Sequence, residues 1–348
     1  LSQGVAHVAG KERLSLPSMF SLLSACLAVV CLFSLLFGAG EIGPLDSLLI
    51  LLGKLDGTTA QYAEEAVFVV QELRLPRTLI GLVVGMALGV AGALLQAVAR
   101  NPLAEPGLLG VSAGSAFAVA VALMLGASAA TLRVSVAQLG ALAGCLCVLA
   151  AARMRGVGND PVRLVLAGAV LSGLLGALTS MILLVDQRTA DEIRFWIVGS
   201  LAGRRIEDLH AILPSMALGG VVTVLIARPL AALALGERVA VGLGHHPQLV
   251  RLLVIGVVAI LVGATTAVAG PIAFIGLVVP FAARALAGPD IRRTLWLCLP
   301  LGPLVVISAD IVSRLVVQPS ELPLGVLTAL IGAPVLILVV RSQRLPTL

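Results

Sequence analysis

Charge is scarce in this chain. Asp, Glu, Lys and Arg make up 12% of its 348 residues, about half the share of an ordinary soluble domain. A water-soluble fold of this length needs a polar skin. A disordered or fibrous chain would not be 59% apolar with a mean hydropathy of +1.11. Most of the surface must therefore face lipid. At about 20 residues per membrane-spanning helix, ten spans would use roughly 200 residues and leave no room for a large soluble domain.

Other absences narrow the function. The four histidines, His7, His210, His245 and His246, fall in loops or at the ends of apolar runs. Gly110-Val111-Ser112-Ala113-Gly114 has the spacing of a hydrolase nucleophile elbow. It has no strand before it and no buried histidine to act as base, so it reads as the Gly/Ser-rich start of a helix. The five cysteines lie in apolar runs, and Cys145-x-Cys147 is not a zinc spacing. They read as small hydrophobes, and no metal site is expected. The His245-His246 pair lacks a third ligand. A phosphate loop is also missing: Gly10-Lys11 is followed by Glu12, and Gly53-Lys54 by Leu55. No ionisable residue falls in the middle of an apolar run. Proton or sodium coupling, and with it an ion-coupled secondary carrier, is left without support. If ATP drives this chain, a separate subunit binds it.

What is present is a series of uncharged runs: Phe20–Gly38, Thr78–Ala99, Gly107–Leu132, Val134–Ala152, Leu164–Val185, Leu209–Ala227, Leu252–Ala283, Thr294–Ala309 and Leu322–Val340. The first is flanked by Lys11 and Arg13 like a signal peptide but is read as a retained helix. Leu252–Ala283 is too long for one span; Gly270-Pro271 divides it into a full helix and a half-helix, Ile272–Ala283. The expectation is an all-α polytopic membrane protein of ten helices with both termini on one side. With the N-terminus inside, 14 of the 23 Lys and Arg residues are cytoplasmic against five of the 18 acids. That asymmetry places both termini in the cytoplasm. The net +5 is then divided between two membrane faces and is no nucleic-acid footprint. Gly81, Gly85, Gly89 and Gly92, and again Gly140 and Gly144, give small faces for close helix packing in lipid.

Several ordered motifs carry a resemblance. Arg74-Leu75-Pro76-Arg77-Thr78 opens the second span, and Gln96 ends it. Arg100-Asn101-Pro102-Leu103-Ala104-Glu105-Pro106-Gly107 follows. Phe195-Trp196 and Gly199-Ser200-Leu201 mark an outer amphipathic piece, and Leu235-Gly236-Glu237 and Gly242-Leu243-Gly244 an inner loop. Gly270-Pro271 through Pro280, Ala309-Asp310 through Arg314, Glu321-Leu322-Pro323-Leu324-Gly325 and Ile331-Gly332-Ala333-Pro334 complete the set. From about Leu73 to Arg341 the chain resembles the FecCD family of permease subunits in bacterial ATP-binding-cassette importers for iron-siderophores, haem and vitamin B12. One departure is Phe281, where the family usually has His after the Pro of the half-helix.

The resemblance implies the type II importer permease fold over a single domain, 1–348, with an N-terminal cytoplasmic segment 1–18 and a coupling loop 228–251. It implies a non-catalytic subunit of the bacterial cytoplasmic (inner) membrane. Its partners would be a second permease subunit (the same or a related chain), two cytoplasmic ATPases holding ATP and Mg, and an extracytoplasmic binding protein. Arg74, Arg77 and Arg314 would dock carboxylates of that binding protein. Leu235, Gly236, Glu237, Arg238, Leu243 and Gly244 would couple to the ATPases, and Asn159, Asp160, Pro161 and Val162 would lie at a cytoplasmic gate. Asn101, Pro102, Glu105, Pro106, Gly270, Pro271 and Pro280 would be structural. The implied cargo is a ferric siderophore, closest to the ferric-enterobactin type, with haem or vitamin B12 as alternatives.

Overall fold

A computed structural model of the chain describes residues 15–38, 42–54, 60–127, 129–153, 161–317 and 320–341. It is helical, with no strand among the described residues. In chain order the helices are α1 (Leu16–Leu36), α2 (Pro44–Leu51), α3 (Ala60–Phe68), α4 (Leu75–Ala99), α5 (Val111–Met124), α6 (Ala129–Arg153), α7 (Pro161–Val185), α8 (Gln187–Ile197), α9 (Ile206–Ala234), α10 (Glu237–Gly242), α11 (Pro247–Ala269), α12 (Ile275–Ala287), α13 (Ile291–Leu315) and α14 (Leu324–Arg341).

Among the described residues, seven helices are long and apolar enough to cross a membrane, and α5, α12 and α14 are shorter apolar helices. These ten match the ten expected segments. Lipid offers backbone groups no partner, so helices that satisfy their own are the expected solution. The small helices α2 and α8 follow the long helices α1 and α7 at one end of the bundle, α3 leads into α4 at that end, and α10 follows α9 at the other.

Element boundaries depart from the sequence reading in four places. The third span is helical only over Val111–Met124; ahead of it, Pro106–Leu109 makes a tight 3₁₀ turn. The half-helix begins at Ile275, because residues 270–274 are non-helical, and it runs on to Ala287. The outer amphipathic piece expected over Glu192–Ser200 is the helix Gln187–Ile197. The coupling loop, expected over 228–251, is shorter. Helix α9 carries Pro229 inside it to Ala234, and α11 starts at Pro247.

Helices α4 and α11 form the buried centre, and α1, α7 and α9 the periphery. Glycines set the closest approaches. A methyl on Gly85 would lie 2.5 Å from the Pro303 backbone in α13, and one on Gly92 only 1.8 Å from the Gly276 carbonyl oxygen. Gly114 and Gly144 meet α6 and the Gly110 region in the same way, which accounts for the hydrolase-like string as packing. The outer faces of α7 and α14 remain apolar and uncovered, with Leu166, Val170 and Leu174 on one and Leu330, Ile331 and Val335 on the other.

Candidate transport path, docking and coupling surfaces

At the α8 face, three arginines and two acids form one cluster. Helices α3 and α4 are joined by a π-helical turn, Val69–Arg74, into a continuous rod. The turn places Arg74 and Arg77 on the same side of it. Helix α13 brings Asp310 and Arg314 one turn apart, and the link to α14 brings Glu321. Arg77 donates Nε to both Asp310 carboxylate oxygens at 3.0 Å and Nη2 to Oδ1 at 2.8 Å. Its Nη1 donates to Glu321 Oε2 at 2.8 Å. Arg314 donates to the other Asp310 oxygen, to Ser34 Oγ at 2.6 Å and to the Ser34 carbonyl at 3.0 Å. Arg74 donates to Ser47 Oγ at 2.8 Å and to the Leu36 carbonyl at 3.0 Å, bonding the end of α1 and the start of α2.

The sequence reading puts these arginines at helix ends, and the resemblance implies that they face a partner's carboxylates. The structure turns them inward: Arg74, Arg77 and Arg314 are 4%, 8% and 2% exposed. Two charges drive this. Asp310 is as buried as Arg314 and needs both guanidinium groups, because an unpaired carboxylate inside a membrane protein is costly. Glu321, its side chain 26% exposed, is the most accessible of the five. Helices α4 and α13 extend beyond the uncharged runs and carry Arg77, Asp310 and Arg314 near their ends, where Asp310 pairs with both arginines inside the bundle.

At the opposite end of α4, Gln96 is fully buried and accepts from Arg284 of α12. Its amide reaches the Gly276 carbonyl at 3.3 Å. Arg100 ends α4 in the left-handed conformation and donates to the Leu233 carbonyl of α9 at 2.7 Å. Asn101 Oδ1 accepts from the Leu103 N–H at 2.9 Å and turns the chain back into the bundle, where Pro106 opens the 3₁₀ turn. Glu105 is read from sequence as part of an inner-loop turn. It instead accepts from the Phe274 N–H at 2.8 Å, beside the first turn of α12. That contact joins residues 169 positions apart, and no local spacing announces it.

The α10 face carries an apolar patch. Leu235, Val239, Val241, Leu243 and Leu249 are exposed around α10, while Ala240 and Val250 anchor it inward. Glu237 pairs with Arg251 and ties α10 to α11. Gly236 and Gly244 stand at φ +130 and +79, which only glycine adopts freely, and Gly244 closes the turn through its N–H to the Val241 carbonyl at 2.9 Å. Arg238 is exposed beside them. Val239, Val241 and Leu249 belong to this surface although the sequence motifs did not mark them. A run of alternating apolar residues on so short a helix carries no distinctive period.

Of the gate residues, Asn159 and Asp160 lie outside the described residues; Pro161 and Val162 open α7. Gly270, at φ +72, sits so close to α8 that a methyl there would lie 2.0 Å from the Trp196 carbonyl oxygen. Trp196 Nε1 donates to the Ala267 carbonyl at 3.1 Å, so α8 is pinned to the end of α11. Pro271 follows in the non-helical stretch, and Pro280 lies inside α12.

A multi-pass helical bundle with half-length helices among its spans, a buried charge cluster at one face and an exposed apolar patch at the other defines a membrane transport subunit. Comparison with known proteins gives its family. The chain belongs to the FecCD transport family, whose model matches residues 26–342. It is 41% identical to the ferric enterobactin transport system permease protein FepD of Escherichia coli K12, over 97% of each chain. It is 37% identical to the Fe(3+) dicitrate permease FecC of the same organism, over 79% of this chain and 83% of that one. It is 35% identical to the cobalamin import permease BtuC of Halobacterium salinarum, over 82% and 76%. A solved inward-facing metal-chelate type ABC transporter shares the fold, with a TM-score of 0.78 and 29% identity over 94% of this chain and 99% of that one. The chain is thus a multi-pass membrane permease subunit of an ABC-type importer.

Proposed function

We propose that this permease translocates a ferric siderophore, driven by ATP hydrolysed on partner subunits. The observation that carries the reading is the end-to-end similarity to a ferric enterobactin permease, over 97% of each chain. Haem and vitamin B12 stay as alternatives, since a cobalamin permease is among the relatives. On this reading both termini are cytoplasmic and the chain itself carries no catalytic residue.

Each face then has a partner. The apolar patch around α10 offers the kind of surface that a soluble protein covers, and an ATPase is the proposed occupant. The apolar faces of α7 and α14 would meet a second permease subunit. At the opposite face a binding protein would dock near Arg77 and Glu321. Because Arg77 is already filled, a partner carboxylate would take the place of Glu321, and Arg74 and Arg314 would contribute through the same opening. ATP would move the bundle between outward- and inward-open states by binding one of them better.

The test is uptake in proteoliposomes holding the permease, its ATPase and its binding protein. The probes are ⁵⁵Fe-enterobactin, a ferric hydroxamate, ferric citrate, haem and cobalamin. ATP-dependent accumulation of a ferric siderophore, at least tenfold above haem and cobalamin, is expected. Preferential uptake of haem or cobalamin would replace the cargo assignment, and accumulation without the ATPase would overturn the mechanism.

A further inference from the structure

Phe274 is one of two non-glycine residues at positive φ among the described residues, at φ 69 and ψ −21. A side chain there clashes with its own backbone, and such a conformation persists only where the surroundings impose it. The surroundings here are unusually complete. Glu105 takes the Phe274 N–H at 2.8 Å. The Phe274 carbonyl accepts from the Leu277 and Val278 N–H groups at 3.1 and 2.8 Å and so starts α12. The ring stands against α14, where a methyl on Gly332 would lie 2.5 Å from Phe274 Cβ.

This clamp is half-buried, against the packed interior of the bundle. Gly276 packs on Pro106 and faces Leu88 and Gly92, near the middle of α4. The chain on either side of the clamp is non-helical, over residues 101–105 and 270–274. Non-helical backbone at membrane depth is tolerated where it lines a cavity or is held by protein. A cavity of about 210 Å³ adjoins it, lined among others by Glu105, Thr266, Pro271, Ile272, Ala273 and Gly276. It gives the 270–274 strip room to move. Three elements meet at one strained residue: the turn after α4, the start of α12 and the apolar helix α14.

We propose that Glu105 is a positioning residue for transport, a latch that holds residue 274 in its left-handed conformation. Release of that contact lets residue 274 relax and lets α14 shift against α12 and the Pro106 turn. The inference rests on the transport reading above. It differs from simple capping of α12, which would need the carboxylate but not the strain.

The experiment separates the two in the reconstituted complex, with ⁵⁵Fe-enterobactin as probe. Glycine adopts positive φ without help, so it removes the need for the latch. Glu105→Ala is expected to slow uptake at least tenfold while ATP hydrolysis stays within twofold. Glu105→Gln, which keeps an acceptor oxygen, is expected within threefold of the unsubstituted protein. The double variant Glu105→Ala/Phe274→Gly is expected within threefold of Phe274→Gly alone. A double variant as slow as Glu105→Ala, or a Glu105→Ala protein with normal uptake, overturns the latch. If Glu105→Ala does not assemble, Phe274→Gly and Phe274→Ala are compared, since both lose the ring and only one is free at positive φ. Several-fold faster uptake by the glycine variant is expected, and equal rates overturn the proposal. If the unsubstituted complex takes up no enterobactin, the cargo assignment fails and the latch is read from amide hydrogen exchange at residues 274–278. Exchange at least tenfold faster in Glu105→Ala, restored in Glu105→Gln, is then expected; unchanged exchange overturns the latch.

Discussion

Asp310 holds two guanidinium groups at once, at a depth where water cannot substitute for either. Arg77 grips both of its oxygens, and Arg314 reaches one of them from the next turn of the same helix. Removing the acid leaves buried Arg314 without a carboxylate and Arg77 with Glu321 alone, and breaking a buried pair from one side costs about 3–5 kcal/mol. Asp310→Ala is therefore expected to lower the unfolding midpoint of the detergent-solubilised protein by several degrees. Glu321→Ala, at the partly exposed edge, is expected to cost about 1 kcal/mol or less. Equal losses for the two variants would mean that the cluster is held from its surface and not from its centre. The family resemblance marked the three arginines for docking, and the chemistry agreed, because arginine offers a fixed fork for carboxylates. Neither revealed that the fork was already occupied from within the chain, since its partner lies 233 residues away.

Close approach governs the scale of helices. Gly92 and Gly276 bring α4 and α12 into backbone contact, and Gly85 does the same for α4 and α13. Gly92→Ala places a carbon inside the Gly276 carbonyl, so the helices must part; overpacking of this kind costs typically about 1–3 kcal/mol, sometimes more. Gly220 in α9 has nothing within 4 Å of where its methyl would stand. Gly220→Ala is expected to be neutral or to stabilise by a few tenths to about 1 kcal/mol through helix propensity. Thermal unfolding of the two variants side by side checks the contrast, and a tolerated Gly92→Ala would refute the packing role. The four-residue glycine spacing made these contacts legible in sequence. So did the apolar runs, because a 20-residue stretch without charge has few alternatives to a membrane helix. The half-helix was legible through Gly270-Pro271, but its start was misplaced by three residues. Phe274 is the reason: nothing in a phenylalanine announces a left-handed backbone, and the carboxylate that holds it comes from a distant turn.

For the whole molecule, the proposed function depends on a relation between two faces of the bundle. The α10 patch is joined to the bundle by the Gly236 and Gly244 turns and by the Glu237–Arg251 pair. Gly244→Pro cannot keep φ at +79, because the proline ring fixes φ near −65°. In the reconstituted complex this variant is expected to hydrolyse ATP while losing at least tenfold in uptake. Retained uptake would remove the turn from the coupling route.

The π-helical turn at Val69–Arg74 has a consequence for that relation. Residues Tyr62–Ala99 make one rod of 38 residues, about 57 Å long at 1.5 Å per residue. The wider turn inserts the equivalent of one extra residue, so everything before it is rotated by about 100° relative to an unbroken α-helix. The rod thus carries two angular settings. Below the turn its register is fixed by the glycine contacts with α12 and α13; above it, Glu64, Glu65 and Phe68 are dialled to a different azimuth and left exposed. The part of this permease that leaves the bundle is aimed independently of the part that packs it.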